Sequence, residues 1–389
     1  MRRRPFLLLI VLPATLLAGG AARIVQDQCG PFTDVTPAFC PYVLELYYLG
    51  VTAGTSATTF SPDDPLTRGQ GAVFVAKGVN QALARSSRRA ALGQWWTTTP
   101  HWDLGLGVTQ VQNDPEGVAS DGQDIWVANE GDGTVSRVRA SDGRLLDTWT
   151  NAHGADNVLA AMGRIFVSGI DTPNGRLYMI DPSQASGGAT IVAADLPASP
   201  FGLTFDGSRI WTANVDGSVS IITPSSSPPW PVTSVSTGFV EPVGALFDGQ
   251  SVWVTDFAAN SLLRLDSAGA VLQTVATGAG PSLPTFDGAN IWVPNDTDAS
   301  VTVVRVADGA IITTLTGNGL QAPFAAAFDG ERILVVNGPI SRPGHGALSL
   351  FRAADLAPLG NFVADGFAAC SDGTNFWVSL QGTGQLARF

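Results

Sequence analysis

Side chains that could take part in catalysis or metal binding are few in this sequence. It contains three histidines, His101, His153 and His345. His153 stands close to Asp156 and Asn157, so this segment could provide a general base beside a metal-binding group. Carboxylate and carbonyl oxygens are the ligands that Ca²⁺ and Mg²⁺ prefer, so either ion is a candidate cofactor.

Glu116, Asn157 and Glu241 are the candidate ligands of such a cation. With His153 as the base, they would describe a metal-dependent enzyme. The alternative is that these side chains are solvated turn residues, and that the protein is a non-catalytic binding scaffold for a protein or small molecule. The sequence has no Gly-x-Ser-x-Gly elbow, phosphate-binding loop or cysteine nucleophile, which are the motifs of several enzyme classes.

A repeat of about 42 residues determines where these side chains would lie. In most copies a tryptophan follows an Asp-Gly pair by five residues, counted from the aspartate, and an Asn or Asp follows by eight. Asp-Gly between two apolar segments is a strong signal for a tight hairpin, because the turn needs positive φ at both positions. The pairs begin at Asp121, Asp206, Asp248, Asp287, Asp329 and Asp372, and Met162-Gly163 fills the gap after the first.

Each unit reads as four strands, which is one blade of a β-propeller. The seven units predict a mainly β fold, with a seven-bladed propeller of four-stranded antiparallel blades over residues 105–389. The last unit ends after three strands, so about 105–111 should supply its outer strand and close the ring. We expect the tryptophans to pack between blades, the Asn series to bond the following loops, and Glu116, Asn157 and Glu241 to face the central channel.

The best-kept unit, residues 115–129, reads Pro-x-Gly-Val-Ala-x-Asp-Gly-x-x-Ile-Trp-Val-Ala-Asn. It resembles the YVTN-type repeats of secreted bacterial proteins and is similar to NHL and virginiamycin B lyase-like propellers. The resemblance covers the seven units and implies the fold. Lyases of the virginiamycin type carry a catalytic histidine with Mg²⁺ and a nearby glutamate, and the resemblance implies a metal-dependent lyase or lactonase as the enzymatic alternative. His153 is its candidate base because it lies beside Asp156 and Asn157, not because the family's motif matches there. Propellers serve in binding, scaffolding and catalysis alike, so the fold alone assigns no activity.

Residues 1–22 have the pattern of a secretory signal peptide. Three arginines follow Met1, an apolar run extends from Phe6 to Gly20, and Ala21-Ala22 provides small residues for cleavage. The apolar run is too short for a transmembrane helix. We therefore expect a bacterial protein that is extracellular or in the cell envelope, with no transmembrane segment after cleavage. An uncleaved membrane anchor is the alternative.

Residues 30–84 predict a small α-helical domain, and residues 85–104 a basic, tryptophan-containing linker. The landmarks of the domain are Phe32-x-Asp34-Val35, Leu49-Gly50-Val51-x-x-Gly54, Phe60-x-Pro62 and Leu66-Thr67-Arg68-x-Gln70. Together they resemble one S-layer homology (SLH) module. The resemblance implies attachment to envelope polysaccharide, with Thr67 and Arg68 contacting an anionic glycan at the start of the second helix. A module kept as a folding cap or dimer contact is the alternative.

Three cysteines follow the apolar N-terminus. Cys29 and Cys40 are 11 residues apart and could close a short loop, so we predict a disulfide between them. Cys370 lies on a predicted inner strand and should remain free, as a small apolar side chain. This set is too small for a structural zinc site.

The charge balance excludes nucleic acid as a partner. Residues 105–389 carry 12 basic and 27 acidic residues, a net charge of −15. Binding to a phosphate backbone needs a basic surface, and this domain has the opposite sign. The same charge would repel anionic lipid, whereas cations and neutral ligands remain compatible with it.

Overall fold

A computed structural model describes residues 29–36, 38–48, 51–85, 107–170, 174–338 and 346–389. The predicted signal peptide at 1–22, the predicted linker beyond residue 85, His101 and His345 lie outside the described residues. The chain divides into two compact units, Met1–Leu66 and Thr67–Phe389. This division falls inside the domain that the sequence predicts at 30–84.

The first unit is built on the landmark residues of the predicted SLH module. It contains the helix α1 (Cys40–Tyr48) and a disulfide between Cys29 and Cys40, whose Cα atoms are 5.4 Å apart. The buried Phe32 ring packs on the rings of Tyr47 and Phe60, with centroids 5.2 and 5.8 Å away. These aromatic contacts form the centre of a small core. A core of this size needs a cross-link for stability, and the disulfide provides one.

The structure explains why Asp34 and Gly54 are landmark residues of the module. The Asp34 carboxylate accepts the backbone N–H groups of Phe60 and Ser61 at 2.8 and 2.7 Å. The bond from Phe60, with a smaller contribution from Ser61, lowers the pKa of Asp34. Gly54 has φ of +79°, and a Cβ there would lie 2.4 Å from the Phe32 ring, so glycine is required at this turn.

The helix α2 (Arg68–Arg85) begins with the predicted capping box. The Thr67 hydroxyl accepts the N–H of Gln70 at 3.2 Å, and Gln70 Oε1 accepts the N–H of Thr67 at 2.9 Å. Two of the N–H groups that a helix start leaves without partners are thereby satisfied. Neither this helix nor α1 is both long and apolar enough to cross a membrane.

In the described part of the propeller, twenty-eight strands form seven four-stranded antiparallel sheets. In chain order they are β1 (Val108–Gln110), β2 (Pro115–Ser120), β3 (Asp124–Asn129), β4 (Thr134–Arg139), β5 (Leu145–Trp149), β6 (Ala155–Ala161), β7 (Arg164–Ile170), β8 (Gly175–Ile180), β9 (Thr190–Leu196), β10 (Pro200–Phe205), β11 (Ile210–Asn214), β12 (Ser218–Ile222), β13 (Val232–Val235), β14 (Pro242–Phe247), β15 (Val252–Asp256), β16 (Ser261–Leu265), β17 (Val271–Ala276), β18 (Thr285–Phe286), β19 (Asn290–Asn295), β20 (Ser300–Arg305), β21 (Ile311–Thr316), β22 (Pro323–Phe328), β23 (Arg332–Asn337), β24 (Ala347–Arg352), β25 (Pro358–Val363), β26 (Ala369–Ser371), β27 (Phe376–Leu380) and β28 (Gln385–Arg388).

These sheets are the blades of a seven-bladed propeller, which confirms the fold class predicted from the repeat. Blades 1 to 6 take four consecutive strands each, from β2–β5 to β22–β25, with the first strand innermost. Blade 7 has the order β26-β27-β28-β1, so its outer strand comes from the start of the domain. Val108 pairs with Ala387 and Gln110 with Gln385.

Removal of the closing strand tests this arrangement. A chain that begins at residue 113 should unfold at a lower urea concentration than one that begins at residue 107. The shorter chain loses β1 and the buried Val111, whose burial alone is worth roughly 1.5–3 kcal/mol, and it leaves β28 as an unpaired edge. Both chains lack the first unit, so their difference isolates the strand. Equal urea midpoints would contradict the closure.

The Asp-Gly turns and the tryptophans form one hydrogen-bonded motif. Asp248 Oδ1 accepts the N–H groups of Gln250 and Ser251 in the turn, and its Oδ2 accepts the indole N–H of Trp253 at 2.7 Å. The buried Trp253 ring packs on Ile291 and other residues of the next blade. The same indole–carboxylate bond occurs at Trp126, Trp211, Trp292 and Trp377.

Blade 6 keeps the aspartate without the tryptophan. Leu334 fills the apolar position, and Asp329 Oδ2 instead accepts the Nε–H of Arg332 at 2.6 Å. The Arg332 guanidinium, in a residue that is 2% exposed, lies 5.2 Å from the ring centroid of Phe376 in blade 7. Arg332 and the phenylalanine of the next blade therefore take the place of the indole that five of the other blades use.

The Asn series is structural, as the sequence favoured. Each of these amides is fully buried and bridges the second strand of a blade to hydroxyl groups of the third. Asn214 Nδ2, for example, donates to Ser218 and Ser220 at 3.1 and 2.9 Å. Asn129, Asn295 and Asn337 make corresponding bonds.

Candidate functional site

The inner strands approach one another closely around the central channel. A Cβ at Gly117 would lie 2.5 Å from Asn157 Cα, and one at Gly202 would lie 2.4 Å from Val243 O. Glycine at these positions lets neighbouring inner strands converge. The residues that begin these strands therefore meet on the face that carries the loops between blades. We call this region the channel mouth.

One side of the channel mouth carries three carboxyl groups, Glu116, Asp156 and Glu130, which we call the acid cluster. Glu116 and Asp156 are 7% and 1% exposed and lie within hydrogen-bonding reach of each other. Glu130 is exposed and also reaches Glu116. Gln381, in the 3₁₀ turn Gln381–Thr383 of blade 7, donates its amide N–H to Glu116 Oε1 at 3.0 Å.

The environment of the acid cluster favours the protonated form of its buried members. Burial, followed by the charge and hydrogen bond of Asp156 and then those of Glu130, raises the pKa of Glu116 far above its usual range. Burial also raises the pKa of Asp156, although its hydrogen bond with Glu116 offsets part of the rise. Two buried carboxyls this close cannot both ionise without a large cost, so the pair retains a proton at neutral pH.

Blades 3, 6 and 7 contribute aromatic side chains to the channel mouth. Phe201 of blade 3 meets Phe324 of blade 6 with ring centroids 6.1 Å apart, and Phe324 meets Phe367 of blade 7 at 5.1 Å. Blades 3 and 6 are not neighbours, so the first of these contacts crosses the channel. Phe201 and Phe324 remain half-buried. We call these three residues the phenylalanine cluster.

Two serines tie the acidic and aromatic sides together. The Ser379 hydroxyl lies 2.6 Å from Glu116 O and accepts the N–H of Ala368, which follows Phe367. The Ser168 hydroxyl accepts the N–H of Asn157 at 3.1 Å and donates to Phe201 O at 3.3 Å. The two sides of the mouth are therefore joined through one hydrogen-bonded frame.

Two of the predicted metal ligands have hydrogen-bonding partners of their own. Asn157 Oδ1 accepts the N–H of the adjacent Val158 at 2.9 Å, and Glu116 is engaged with Asp156 and Gln381. Glu241 precedes β14 in blade 4, where its N–H donates to Asp256 at 3.0 Å. Among the described residues, no three His, Cys, Asp or Glu side chains have an arrangement that would hold a metal ion. The Ca²⁺ or Mg²⁺ site of Glu116, Asn157 and Glu241 stays a prediction.

The other predicted site residues lie apart from the acid cluster. His153 is exposed, and its backbone O accepts the Tyr178 hydroxyl at 3.3 Å. Thr67 and Arg68 are exposed at the start of α2, and the Thr67 hydroxyl is engaged in the helix cap. Cys370 is a half-buried free thiol on β26, and burial raises its pKa.

Sequence reasoning placed Glu116 and Asp156 at the channel but missed their partners. Gln381 follows the last complete strand of blade 7 and carries no repeat signature. The phenylalanine cluster was not predicted either, because single aromatic residues on inner strands resemble ordinary core residues. The signal that could have found it is positional: Glu116, Asp156, Phe201 and Phe324 each follow the first residue of an inner strand.

Two comparisons concern the N-terminal part of the chain. Residues 31–72 match the S-layer homology domain. Part of the chain is 40% identical over 78 residues to an endoglucanase of Bacillus sp. (strain KSM-635). That stretch is 19% of this chain and 8% of the endoglucanase. The chain thus carries an SLH domain, which confirms the predicted module and indicates association with a bacterial cell surface.

Among the solved structures similar to this chain is the WD40 β-propeller domain of Doa1, with a TM-score of 0.56 and 12% identity, over 72% of this chain and 93% of that one. Virginiamycin B lyase from Staphylococcus aureus, as its selenomethionine form, has a TM-score of 0.58 and 13% identity, over 72% of this chain and 98% of that one. A chain of the mitotic checkpoint complex has a TM-score of 0.61 and 14% identity, over 75% and 94%. At these identities the similarity establishes the propeller fold alone. The protein is therefore a seven-bladed β-propeller with an N-terminal SLH domain.

Proposed function

We propose that this is an exported, non-catalytic binding protein of the bacterial cell envelope, tethered by its SLH domain and presenting the propeller as a ligand-binding module. The observation that carries the tethering is the SLH match over residues 31–72. Its landmark side chains Phe32, Asp34 and Phe60 make the contacts that fold the first unit. The signal-peptide pattern at 1–22 supports export.

Arg68 is the residue we assign to the envelope polysaccharide. Its side chain is exposed at the first position of α2, where helix N–H groups and the helix dipole also favour an anion. The Thr67 hydroxyl is occupied by Gln70, so its contribution is to fix the helix start beside Arg68. The propeller, with its net charge of −15, would be repelled by an anionic glycan, which leaves the attachment to the N-terminal domain.

The geometry of the channel mouth favours binding over catalysis. The enzymatic alternative needs His153 as a base next to a metal held by Glu116, Asn157 and Glu241. The exposed imidazole of His153 makes no hydrogen bond within the described part of the chain, and Asn157 Oδ1 already accepts the backbone N–H of Val158. An acid cluster facing a phenylalanine cluster offers complementary surfaces to a ligand, as binding pockets generally do.

Co-sedimentation with purified cell envelope tests the tethering. We expect the full chain to sediment with envelope from the producing bacterium, and the Arg68→Ala variant to lose most of this binding. Arg144→Ala is the matched control, because Arg144 is an exposed arginine of the propeller. The loss should be at least tenfold, since a charge-assisted bidentate contact is worth about 1.5–3 kcal/mol. Equal sedimentation of Arg68→Ala and wild type would refute the role of Arg68.

A further inference from the structure

We propose that the channel mouth binds a small organic cation in which an ammonium or guanidinium group is joined to an apolar body. The acid cluster receives the charge, and the phenylalanine cluster contacts the body. This inference rests on the proposed function, since it names the class of ligand that the propeller would bind.

Asp156 is the first observation behind this assignment. Its Oδ1 is buried, and no N–H or O–H group of the described residues donates to it. Asp256, a fully buried aspartate of blade 4, is the contrast, because it accepts the N–H groups of Val240, Glu241 and Ala259. A buried carboxylate oxygen without a donor is costly. Asp156 thus has an acceptor that a ligand can use, whereas the acceptors of Asp256 serve the fold.

Within the described ranges, no arginine, lysine or histidine forms an ion pair with the acid cluster. The ion pairs of the propeller join arginines to aspartates of the turns or of a second strand, such as Arg209 to Asp206 and Arg137 to Asp124. The groups that act electrostatically on Glu116 and Asp156 are each other and Glu130, all acidic. A cation that enters the cluster would therefore meet unneutralised carboxyl groups.

The cluster is reached from solvent through Glu130. This side chain is exposed and contacts Glu116, which in turn contacts the deeper Asp156. The three carboxyls thus form a chain of acceptors from the surface inward. An ammonium or guanidinium group is matched to such a chain, because it carries several N–H donors and a positive charge.

The apolar half of the ligand follows from the phenylalanine cluster. Phe201 and Phe324 are only half-buried, so their rings keep surface that a ligand can cover. They face the same mouth as the acids, because Ser168 links Phe201 to Asn157, and Ser379 links the Phe367 segment to Glu116. Aromatic faces also attract cations, so the two clusters cooperate.

Binding of the cation should release a proton. Glu116 on β2, Asp156 on β6 and Glu130 after β3 are the titratable groups that face one another, and Gln381 and Asn157 beside them are neutral. The buried pair holds a proton in the empty site, and a bound positive charge favours its loss. Affinity should therefore rise as the pH is raised from 6 to 8.

Isothermal titration of the full chain with 2-phenylethylamine is the test. We expect saturable binding at pH 8, with proton release detected from the dependence of the heat on buffer ionisation enthalpy. 2-Phenylethanol, which lacks the charge, and ethylamine, which lacks the ring, should each bind at least tenfold more weakly. Asp156→Asn should lose at least tenfold in affinity, and Asp216→Asn, the same change at an exposed loop residue, should not.

Any one of three results would overturn the proposal. They are no binding of 2-phenylethylamine by the wild type, equal binding of 2-phenylethanol, and unchanged affinity in Asp156→Asn. Thermal unfolding of Asp156→Asn in the same buffer checks that the variant is folded. Envelope co-sedimentation of this variant should match the wild type, so a failure of the tethering is distinguishable from a failure of the ligand assignment.

Discussion

Replacement of Trp253 by alanine is expected to lower the free energy of unfolding of the propeller by about 3–5 kcal/mol. The ring is fully buried between blades 4 and 5, so its removal leaves a cavity that two blades line. Asp248 Oδ2 also loses the indole N–H that it accepts at 2.7 Å. Each blade packs against its neighbours, so we expect the substitution to destabilise the whole propeller.

Two variants separate packing from hydrogen bonding at this position. Trp253→Phe keeps an aromatic ring but leaves Asp248 Oδ2 without its donor, and should cost about 1–3 kcal/mol. Leu334→Ala, at the corresponding position of blade 6, should lower the free energy of unfolding by about 2–5 kcal/mol through lost packing alone. Asp329 keeps its hydrogen bond in this variant, because its donor is Arg332. Urea denaturation followed by fluorescence or circular dichroism measures all three. A loss below ~1 kcal/mol in Trp253→Ala would contradict the account.

The second large effect is a fall in stability as the pH rises above neutral. Burial raises the pKa of both Glu116 and Asp156 in the folded state. The charge of Asp156 adds to the rise at Glu116, and the charge of Glu130 adds to the rise at Asp156. Above the ordinary carboxyl pKa the native state therefore binds more protons than the unfolded state. The stabilisation is complete at pH values below the unfolded pKa and is lost progressively as the pH rises through the folded values.

Glu116→Gln is expected to remove most of this pH dependence. At pH 8 the variant should be more stable than wild type by on the order of 1–3 kcal/mol, because each pKa unit corresponds to about 1.4 kcal/mol. At pH 4, where the wild-type carboxyl is protonated, the two should be nearly equal. Unfolding midpoints between pH 4 and 9 provide the measurement, and parallel curves for the two proteins would contradict the assigned protonation.

The loss of stability at low pH has a different origin, and it serves as an internal control for the effect of Glu116→Gln. Burial acts to raise the pKa of Asp206, but hydrogen bonds from Trp211 and from the turn N–H groups outweigh it and lower the value to about 2. A lowered folded pKa contributes stability above the unfolded value, and this is lost as the pH falls toward 2. Glu116→Gln should leave that limb unchanged.

The repeat made most of the fold predictable. Asp-Gly spacing located the hairpins, because a tight turn is a local requirement of a few residues. The expected turn geometry was wrong, since only the glycine of each pair has positive φ, for example +94° at Gly122 and +97° at Gly249. The three-strand last unit implied that β1 would close the ring, because an open sheet edge is unfavourable. The bond from each indole to its own turn was not predicted, although the constant spacing of five residues between Asp and Trp was its signal.

The channel mouth was less predictable, because its contacts join residues that are distant in sequence. A repeat assigns each residue to a position within its blade but does not say which side chains will meet across the ring. Phe201 and Phe324 belong to non-adjacent blades, and Gln381 reaches Glu116 from the opposite end of the domain. The ligand set of Glu116, Asn157 and Glu241 relied on position alone. It did not consider that Asn157 Oδ1 would accept the N–H of Val158.

Surface labelling of the producing bacterium tests the central claim most directly. Intact cells that express the wild-type chain or Arg68→Ala are stained with an antibody against the propeller, and the culture medium is assayed for the same protein. We predict that the wild type labels the cell surface and that Arg68→Ala appears mainly in the medium. Equal surface labelling of both proteins, or confinement of the wild type inside the cell, would contradict an envelope-tethered binding propeller.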